Sequence, residues 1–187
     1  MESSRPSDAL SLFWAPLCAI GSHGETGPNA QIGVSVHGAS IVPEQPRLIV
    51  GLYKTNHTTW LVADVGTLAI SVLCEKQIDL LGRLGLESGR DKDKLSGLNF
   101  ALTKSGDPYF PGSAGFIDCE VLDAMDAGDA FFFLCGVRER RWLTDEIPLD
   151  RARAMELAGE DFHQRWASKQ AAERDASRAT MRWILPR

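Results

Sequence analysis

A short loop after the apolar segment Leu48–Tyr53 has the residue types that bind a phosphate group. Lys54 supplies a positive charge, and Thr55, Thr58 and Thr59 supply hydroxyl donors. Cations and hydroxyl groups form strong hydrogen bonds with phosphate oxygens, which is the chemistry that this loop offers. A solvated surface loop can have the same composition, so the loop alone leaves a structural role open.

The segment before this loop, Ala30–Gly38, is rich in small side chains. Small residues on a strand let a flat group approach the backbone closely, although they also occur where barrel strands pack tightly. A site for a flat ring beside a site for a phosphate indicates a nucleotide-type cofactor. Thr58 and Thr59 also open a predicted helix, whose N-terminal amides favour an anion.

Short apolar segments, separated by turns, must position these residues. The predicted strands are Leu17–Ser22, Ile32–Val36, Leu48–Tyr53, Leu68–Leu73, Phe116–Val121 and Ala130–Val137. The predicted helices are Thr58–Val65, Glu75–Gly85, Leu149–Ala158 and Glu160–Ala179, with Gly159 between the last two. Many short strands with few helices indicate a closed or partly closed barrel.

The composition excludes several classes of protein. A chain of 187 residues with 44% hydrophobic and 24% charged residues forms one core, with or without an appendage. A net charge of −5 argues against a dedicated nucleic-acid surface. No apolar run is long enough to span a membrane, and residues 1–9 show no signal-peptide pattern, so we expect a cytoplasmic protein.

The four cysteines lie in or at the ends of apolar runs and form no C-x-x-C pair. We therefore expect buried, reduced thiols. The sequence has no metal-type cluster of Cys and His, so no metal site is predicted.

The order of the motifs resembles the flavin reductase-like family, the FMN-binding split barrels. The upstream motifs are the Gly27–Asn29 turn, the small-residue strand, Ser40 before Pro43 and Pro46, the hydroxyl loop, and the strand Leu68–Leu73. The downstream motifs are Asp93-Lys94-Leu95 with Gly97, Gly106-Asp107-Pro108, the segment 114–120, and Gly128-Asp129. The resemblance extends over roughly residues 9 to 140.

The resemblance implies a mainly β fold: a six-stranded, Greek-key-like split β-barrel with flanking helices. It also implies a homodimer with FMN near the dimer interface. We expect residues 1–8 to form an N-terminal tail, 9–145 to form the flavin reductase-like barrel, and 146–187 to form a C-terminal helical extension. The extension has two equally open positions, across its own barrel or against a second subunit.

The resemblance also implies a set of cofactor-binding residues. Backbone groups of Asn29 to Ile32 would line the isoalloxazine ring, and the Gln31 side chain could bond a flavin edge. Ser35 would reach the ribityl chain or phosphate. The full predicted set is Asn29, Ala30, Gln31, Ile32, Ser35, Tyr53, Lys54, Thr55, Thr58, Thr59 and Arg83. The cofactor would be FMN, with FAD as an alternative and NAD(P)H as co-substrate.

One departure from the family pattern concerns the reaction. Family reductases carry Gly-Asp-His where this chain has Gly128-Asp129-Ala130, and Ser71 replaces a usual Asn. Hydride transfer needs only stacking and orientation, so no catalytic side chain is predicted. The resemblance implies an NAD(P)H:flavin oxidoreductase that supplies reduced flavin to a monooxygenase or another acceptor. The alternative, which Ala130 favours, is an FMN-binding electron carrier or flavin-holding protein without NAD(P)H turnover. A pocket for heme or a deazaflavin ranks last.

Overall fold

The computed structural model describes residues 16–181, and its main element is a curled antiparallel sheet of seven strands in the order β2-β1-β5-β8-β9-β4-β3. The seven strands are β1 Cys18–Gly24, β2 Gly27–Gly33, β3 Val36–Gly38, β4 Arg47–Tyr53, β5 Thr67–Val72, β8 Gly115–Asp126 and β9 Ala130–Trp142. Two short strands, β6 Ala101–Leu102 and β7 Pro108–Tyr109, pair separately.

The sheet curls because its two edge strands, β2 and β3, follow each other directly in the chain. β2 and β3 lie at opposite ends of the strand order, yet only Val34 and Ser35 separate them in the chain. Each residue spans at most about 3.3–3.6 Å, so the two ends of the sheet must lie close together. β2 pairs with β1, and β3 pairs with β4. The bend at Val34 and Ser35 therefore shapes the mouth of the barrel.

The predicted number of six strands was wrong, because the segment predicted as one strand, Ile32–Val36, is divided by this bend. β8 and β9 also extend beyond the predicted strands, to Asp126 and Trp142. Their charged ends continue as a hairpin because each strand satisfies the backbone of the other. Arg138 Nη2 contacts Asp118 Oδ1 at 2.7 Å across this pair.

Three helices flank the sheet: α1 His57–Val65, α2 Leu80–Gly85 and α3 Arg151–Arg178. The single helix predicted over Glu75–Gly85 was wrong, because a 3₁₀ turn at Glu75–Gln77 precedes α2. The predicted break at Gly159 was confirmed. Gly159 has φ 77° and ψ 168°, which kinks α3 at a residue that tolerates a positive φ.

Side chains on the two faces of β1 enter two different cores. Cys18 and Ile20 point into the barrel cluster, which also contains Leu52 and Phe133. Ala19 points the other way, into a second cluster that we call the helix cluster; this cluster also contains Leu17 and residues of α2 and α3. The two-residue alternation of a strand accounts for this division.

The described part of the C-terminal extension packs on its own barrel. Ala154 and Phe162 of α3 are buried in the helix cluster beside Leu81 and Leu84. The predicted N-terminal tail, residues 1–8, and the end of the extension, residues 182–187, lie outside the described residues. Between residues 16 and 181, no helix is long and apolar enough to cross a membrane.

All four cysteines are buried and free, as predicted. Burial raises the pKa of Cys18 and of Cys135 to about 12, and it also raises the pKa of Cys119. The free positions are Cys18, Cys74, Cys119 and Cys135. At neutral pH the three thiols with a raised pKa stay protonated and pack as small apolar groups.

Candidate functional site

A largely apolar cavity of 260 Å³ lies between the barrel mouth and helix α3. The bend between β2 and β3, together with β4 and β9, forms one wall, and α2 and α3 form the other. Its lining includes Gln31, Ile32, Ser35, Tyr53, Leu84, Ala130, Phe132, Phe162 and Trp166. The cavity thus offers a flat ligand an apolar surface on both sides.

A second cavity of 500 Å³ has a different, cationic lining. Its lining also contains the hydroxyl groups of Thr55 and Thr58, and its cations outnumber its carboxylates. The cations are Lys54, Arg90, Lys94 and Lys169, and the carboxylates are Glu87 and Glu173. The two cavities share the lining residues Gln31, Asn56, Lys169 and Glu173. One ligand can therefore place a ring in the first cavity and an anionic group in the second.

Buried polar atoms without a partner point to a ligand in these cavities. Gln31 Oε1, Thr55 Oγ1 and Trp166 Nε1 are all buried, and none of the three has a hydrogen-bond partner. Gln31 and Trp166 line the first cavity, and Thr55 lines the second. An unsatisfied buried polar group costs about 1–3 kcal/mol, so a ligand that completes these bonds gains affinity.

The basic loop is arranged around the start of α1. Asn29 Nδ2 donates to Thr58 Oγ1 at 2.9 Å, and Thr59 Oγ1 donates to Tyr53 O at 2.6 Å. These bonds tie α1 to β2 and β4. Asn56 precedes the helix without a side-chain cap, and the first turn of the helix has no acidic residue. The helix N-terminus therefore keeps its preference for an anion.

Lys54 is held beside the loop by a carboxylate and an aromatic ring. Lys54 Nζ lies 2.5 Å from Asp126 Oδ1 and 4.5 Å from the centroid of the Phe131 ring. Its backbone N–H donates to Asp129 O at 2.8 Å. Part of its charge is therefore already compensated, and Lys169 is likewise paired with Glu173. Arg90 and Lys94 are therefore left to supply most of the attraction for an anion.

Arg90 is a candidate anion-binding residue that the sequence analysis missed. Arg90 Nη1 donates to Thr55 O at 3.0 Å, which places the guanidinium at the edge of the second cavity. Its neighbour Gly89 lies so close to Asn29 that an added Cβ would be 2.5 Å from Asn29 Oδ1. In the sequence, only the charged composition of the segment around Arg90 could have indicated a binding role. The position of Arg90 depends on its contact with Thr55, which is distant in the chain.

Lys94 is 4% exposed and also lines the second cavity. Burial, with a further contribution from Lys169, lowers the pKa of Lys94 to about 8, while Glu87 opposes the shift. Its Nζ donates to Leu84 O at 3.4 Å.

His57 also lines the second cavity. Burial lowers the pKa of His57, and the positive charges of Arg90 and Lys94 lower it further, so His57 is neutral at pH 7.

Seven of the eleven predicted site residues line one of the two cavities. Gln31, Ile32, Ser35 and Tyr53 line the first cavity, and Lys54, Thr55 and Thr58 line the second. Asn29, Ala30 and Thr59 are buried behind these walls. Arg83 lines neither cavity; its Nη2 donates to Lys94 O at 3.0 Å and to Ser96 O at 2.9 Å. Direct flavin contact stays a prediction for all of the predicted site residues, including those that line a cavity.

Ala130, which stands where family reductases carry a histidine, lies in the wall of the first cavity. It is 4% exposed and lies opposite Tyr53 in the pairing of β9 with β4. Burial, followed by Asp129 and Glu173, raises the pKa of Tyr53, so its phenol stays protonated at neutral pH. A methyl group from Ala130 offers a ligand contact area but no hydrogen bond.

A flavin fits this arrangement. The apolar cavity matches an isoalloxazine ring, the unpartnered Gln31 oxygen matches its polar edge, and the cationic cavity matches a phosphate. Gln31 would hold the ring edge, and Thr55, Arg90 and Lys94 would hold the phosphate. The second cavity, of 500 Å³, lies within the range of about 300–1,000 Å³ that is typical of ligand pockets, and the first, of 260 Å³, lies just below that range.

Sequence comparisons identify two related reductases. The chain is 28% identical to a flavin reductase from Pseudomonas putida over 124 residues, which is 66% of this chain and 70% of that protein. It is 27% identical over 117 residues to HsaB of Mycobacterium tuberculosis, the reductase subunit of a flavin-dependent monooxygenase. That match covers 63% of this chain but only 59% of HsaB.

A solved structure supports the same fold. The NADH:FAD oxidoreductase SgcE6 of Streptomyces globisporus superposes with a TM-score of 0.66 over 79% of this chain and 91% of that chain. At 19% sequence identity, this likeness shows the split-barrel fold alone. The family model of the flavin reductase like domain matches residues 10–152. The chain therefore belongs to the flavin reductase-like family, a family of flavin-dependent oxidoreductases, as its motifs predicted.

Proposed function

We propose that this protein is an NAD(P)H:flavin oxidoreductase that binds FMN and passes reduced flavin to a monooxygenase or another acceptor. One observation carries the proposal: an apolar cavity joins a cationic cavity at Gln31, whose side-chain oxygen is buried without a partner. Family membership supports an oxidoreductase that acts on flavin. The name of HsaB supports a monooxygenase as the partner.

The chain contributes binding and orientation to this reaction. A bound flavin supplies the hydride-accepting ring. Gln31 orients the ring edge, the apolar walls exclude water, and Arg90 with Lys94 holds the phosphate. The Ala130 side chain neither donates nor accepts a proton, so this position offers the nicotinamide only a contact surface.

An anaerobic absorption spectrum tests the proposed reaction directly. We expect the protein loaded with FMN to lose its flavin absorbance when NADH or NADPH is added, because hydride transfer reduces the ring. A mixture of free FMN and nicotinamide without protein is the control. Failure of the protein to bind FMN would overturn the flavin site itself.

A second candidate function is an FMN-binding electron carrier without NAD(P)H turnover. Ala130 favours this candidate, because the residue that replaces the family histidine cannot hold a carboxamide. In that case the absorbance would bleach with dithionite and stay unchanged with either nicotinamide. The same experiment therefore separates the two functions.

We also propose that the protein forms a homodimer. Large apolar side chains at the surface support this assembly: Ile41 is 100% exposed and Ile147 is 82% exposed. A partner subunit that covers such apolar side chains removes them from water, which favours association.

Flavin binding is expected to weaken as the pH rises through about 8, because the pKa of Lys94 is lowered to about 8. A phosphate attracts the protonated ammonium and loses that attraction when Lys94 becomes neutral. We expect the Kd for FMN to rise by about tenfold between pH 7 and 9.5, the scale of one lost bond to a charged group. Both pH values lie above the second phosphate pKa of about 6.

Two controls assign this pH dependence. Riboflavin has no phosphate, so its Kd should stay constant over the same range. Lys94→Met should remove the pH step for FMN. The stability of the free protein should move in the opposite direction, since the folded-state penalty on the charged lysine is present below pH 8 and is relieved as the pH rises. A pH step for FMN that persists in Lys94→Met would contradict the assignment.

A further inference from the structure

Helix α3 forms part of the first cavity, although it lies almost entirely beyond the family match. The match ends at residue 152, and α3 runs from Arg151 to Arg178. Phe162, Trp166 and Gln170 of this helix nevertheless line the first cavity, and Lys169 lines both cavities. The contribution of α3 is therefore a property of this chain that the family match does not assign.

Helix α3 is anchored in the helix cluster on both sides of the kink at Gly159. Before the kink at Gly159, Ala154 packs into the helix cluster. After the kink, Phe162 stacks on Trp166 with a centroid distance of 5.7 Å and an interplanar angle of 18°. A Cβ added to Gly85 would lie 3.3 Å from Trp166 Cζ3, so the indole rests against α2. These contacts fix the orientation of the Trp166 ring.

Two buried polar atoms of the first cavity have complementary chemistry. Gln31 Oε1 is an acceptor on β2, and Trp166 Nε1 is a donor on α3, and each lacks a partner. The indole N–H can only donate, so the group that satisfies it must be an acceptor. A ligand that completes both bonds must present one hydrogen-bond donor and one acceptor to this cavity.

The pyrimidine edge of an isoalloxazine has this pattern, because an N–H lies between two carbonyl oxygens. We propose that Trp166 donates its indole N–H to a carbonyl oxygen of the bound flavin, while Gln31 accepts from the ring N–H. Helix α3 thereby becomes the roof of the flavin site within the same chain. This assignment rests on the flavin site proposed above.

Trp166→Phe tests the assignment, because it keeps an aromatic ring but removes the indole N–H donor. We expect the Kd values for FMN and for riboflavin to rise together by about tenfold, the scale of one buried hydrogen bond. Both should rise because the lost contact is to the ring and not to the phosphate. The flavin absorption band should also shift, which a purely structural role of Trp166 would not cause.

Trp142→Phe is the matched control, because Trp142 is 74% exposed and lines neither cavity. A second measurement uses the wild-type protein labelled with ¹⁵N-tryptophan. On FMN addition, the Trp166 indole N–H resonance should move, and the Trp142 resonance should stay in place. Wild-type flavin affinity and spectrum in Trp166→Phe, with a stationary Trp166 resonance, would overturn the roof assignment alone. A wild-type protein that binds no flavin would overturn the proposed function as well.

Discussion

Arg90→Glu is expected to weaken FMN binding by about 100-fold, the largest functional effect of any single substitution considered for this site. The substitution removes a cation from the wall of the second cavity and puts a carboxylate in its place. A hydrogen bond to a charged group contributes about 1.5–3 kcal/mol, and the new repulsion of the phosphate adds to that loss. Fluorescence titration with FMN measures the change.

Two controls isolate the phosphate. Riboflavin should bind Arg90→Glu and the wild type equally well, since it lacks the group that Arg90 contacts. Lys104→Glu makes the same change in net charge at an exposed residue that lines neither cavity, and it should leave FMN affinity unchanged. An equal loss of riboflavin affinity would mean that Arg90 supports the fold of the loop and not the phosphate. Arg90 is a better test than Thr58, because Thr58 already accepts a hydrogen bond from Asn29.

Gly21→Ala is expected to produce a large loss of stability. Gly21 lies in the middle of β1, and an added Cβ would be 2.0 Å from Pro108 O. That atom belongs to the backbone of β7, so relief of the clash requires one of two packed strands to move. Overpacking of this kind costs about 1–3 kcal/mol of the free energy of unfolding. Urea denaturation and thermal melting would both report the loss.

Gly38→Ala is the matched control for this prediction. Gly38 lies in β3, and an added Cβ meets nothing within 4 Å. Alanine at such a position reduces the freedom of the unfolded chain, so we expect an unchanged or slightly raised free energy of unfolding. Equal denaturation midpoints for the two variants would show that β7 does not press on β1.

Local patterns predicted most elements of the fold. The predicted strands Leu48–Tyr53 and Leu68–Leu73 correspond to β4 and β5 within one or two residues. The kink at Gly159 was equally visible, because glycine tolerates the positive φ that the kink requires. Boundaries failed where tertiary contacts decide them. The charged ends of β8 and β9 form strand only because the two strands pair with each other.

The candidate site was only partly visible in the sequence. Motif order predicted Gln31, Ser35 and Thr55 because each lies in a strand or loop segment with a recognisable pattern. Arg90 and Trp166 come from a charged loop and a polar helix, and neither segment has a pattern that predicts a ligand. Their positions depend on contacts with Thr55 and Gly85, which are distant in the chain. Local composition does not predict contacts between residues that are distant in the chain.

The bend at Val34 and Ser35 has a consequence for the entropy of binding. This short connection joins the two ends of the sheet, and both of its residues line the first cavity. The backbone there can shift only if strands at both ends of the barrel shift with it. A ligand that binds against this bend meets a preorganised surface and loses little conformational freedom to ordering, which leaves more of its contact energy as affinity.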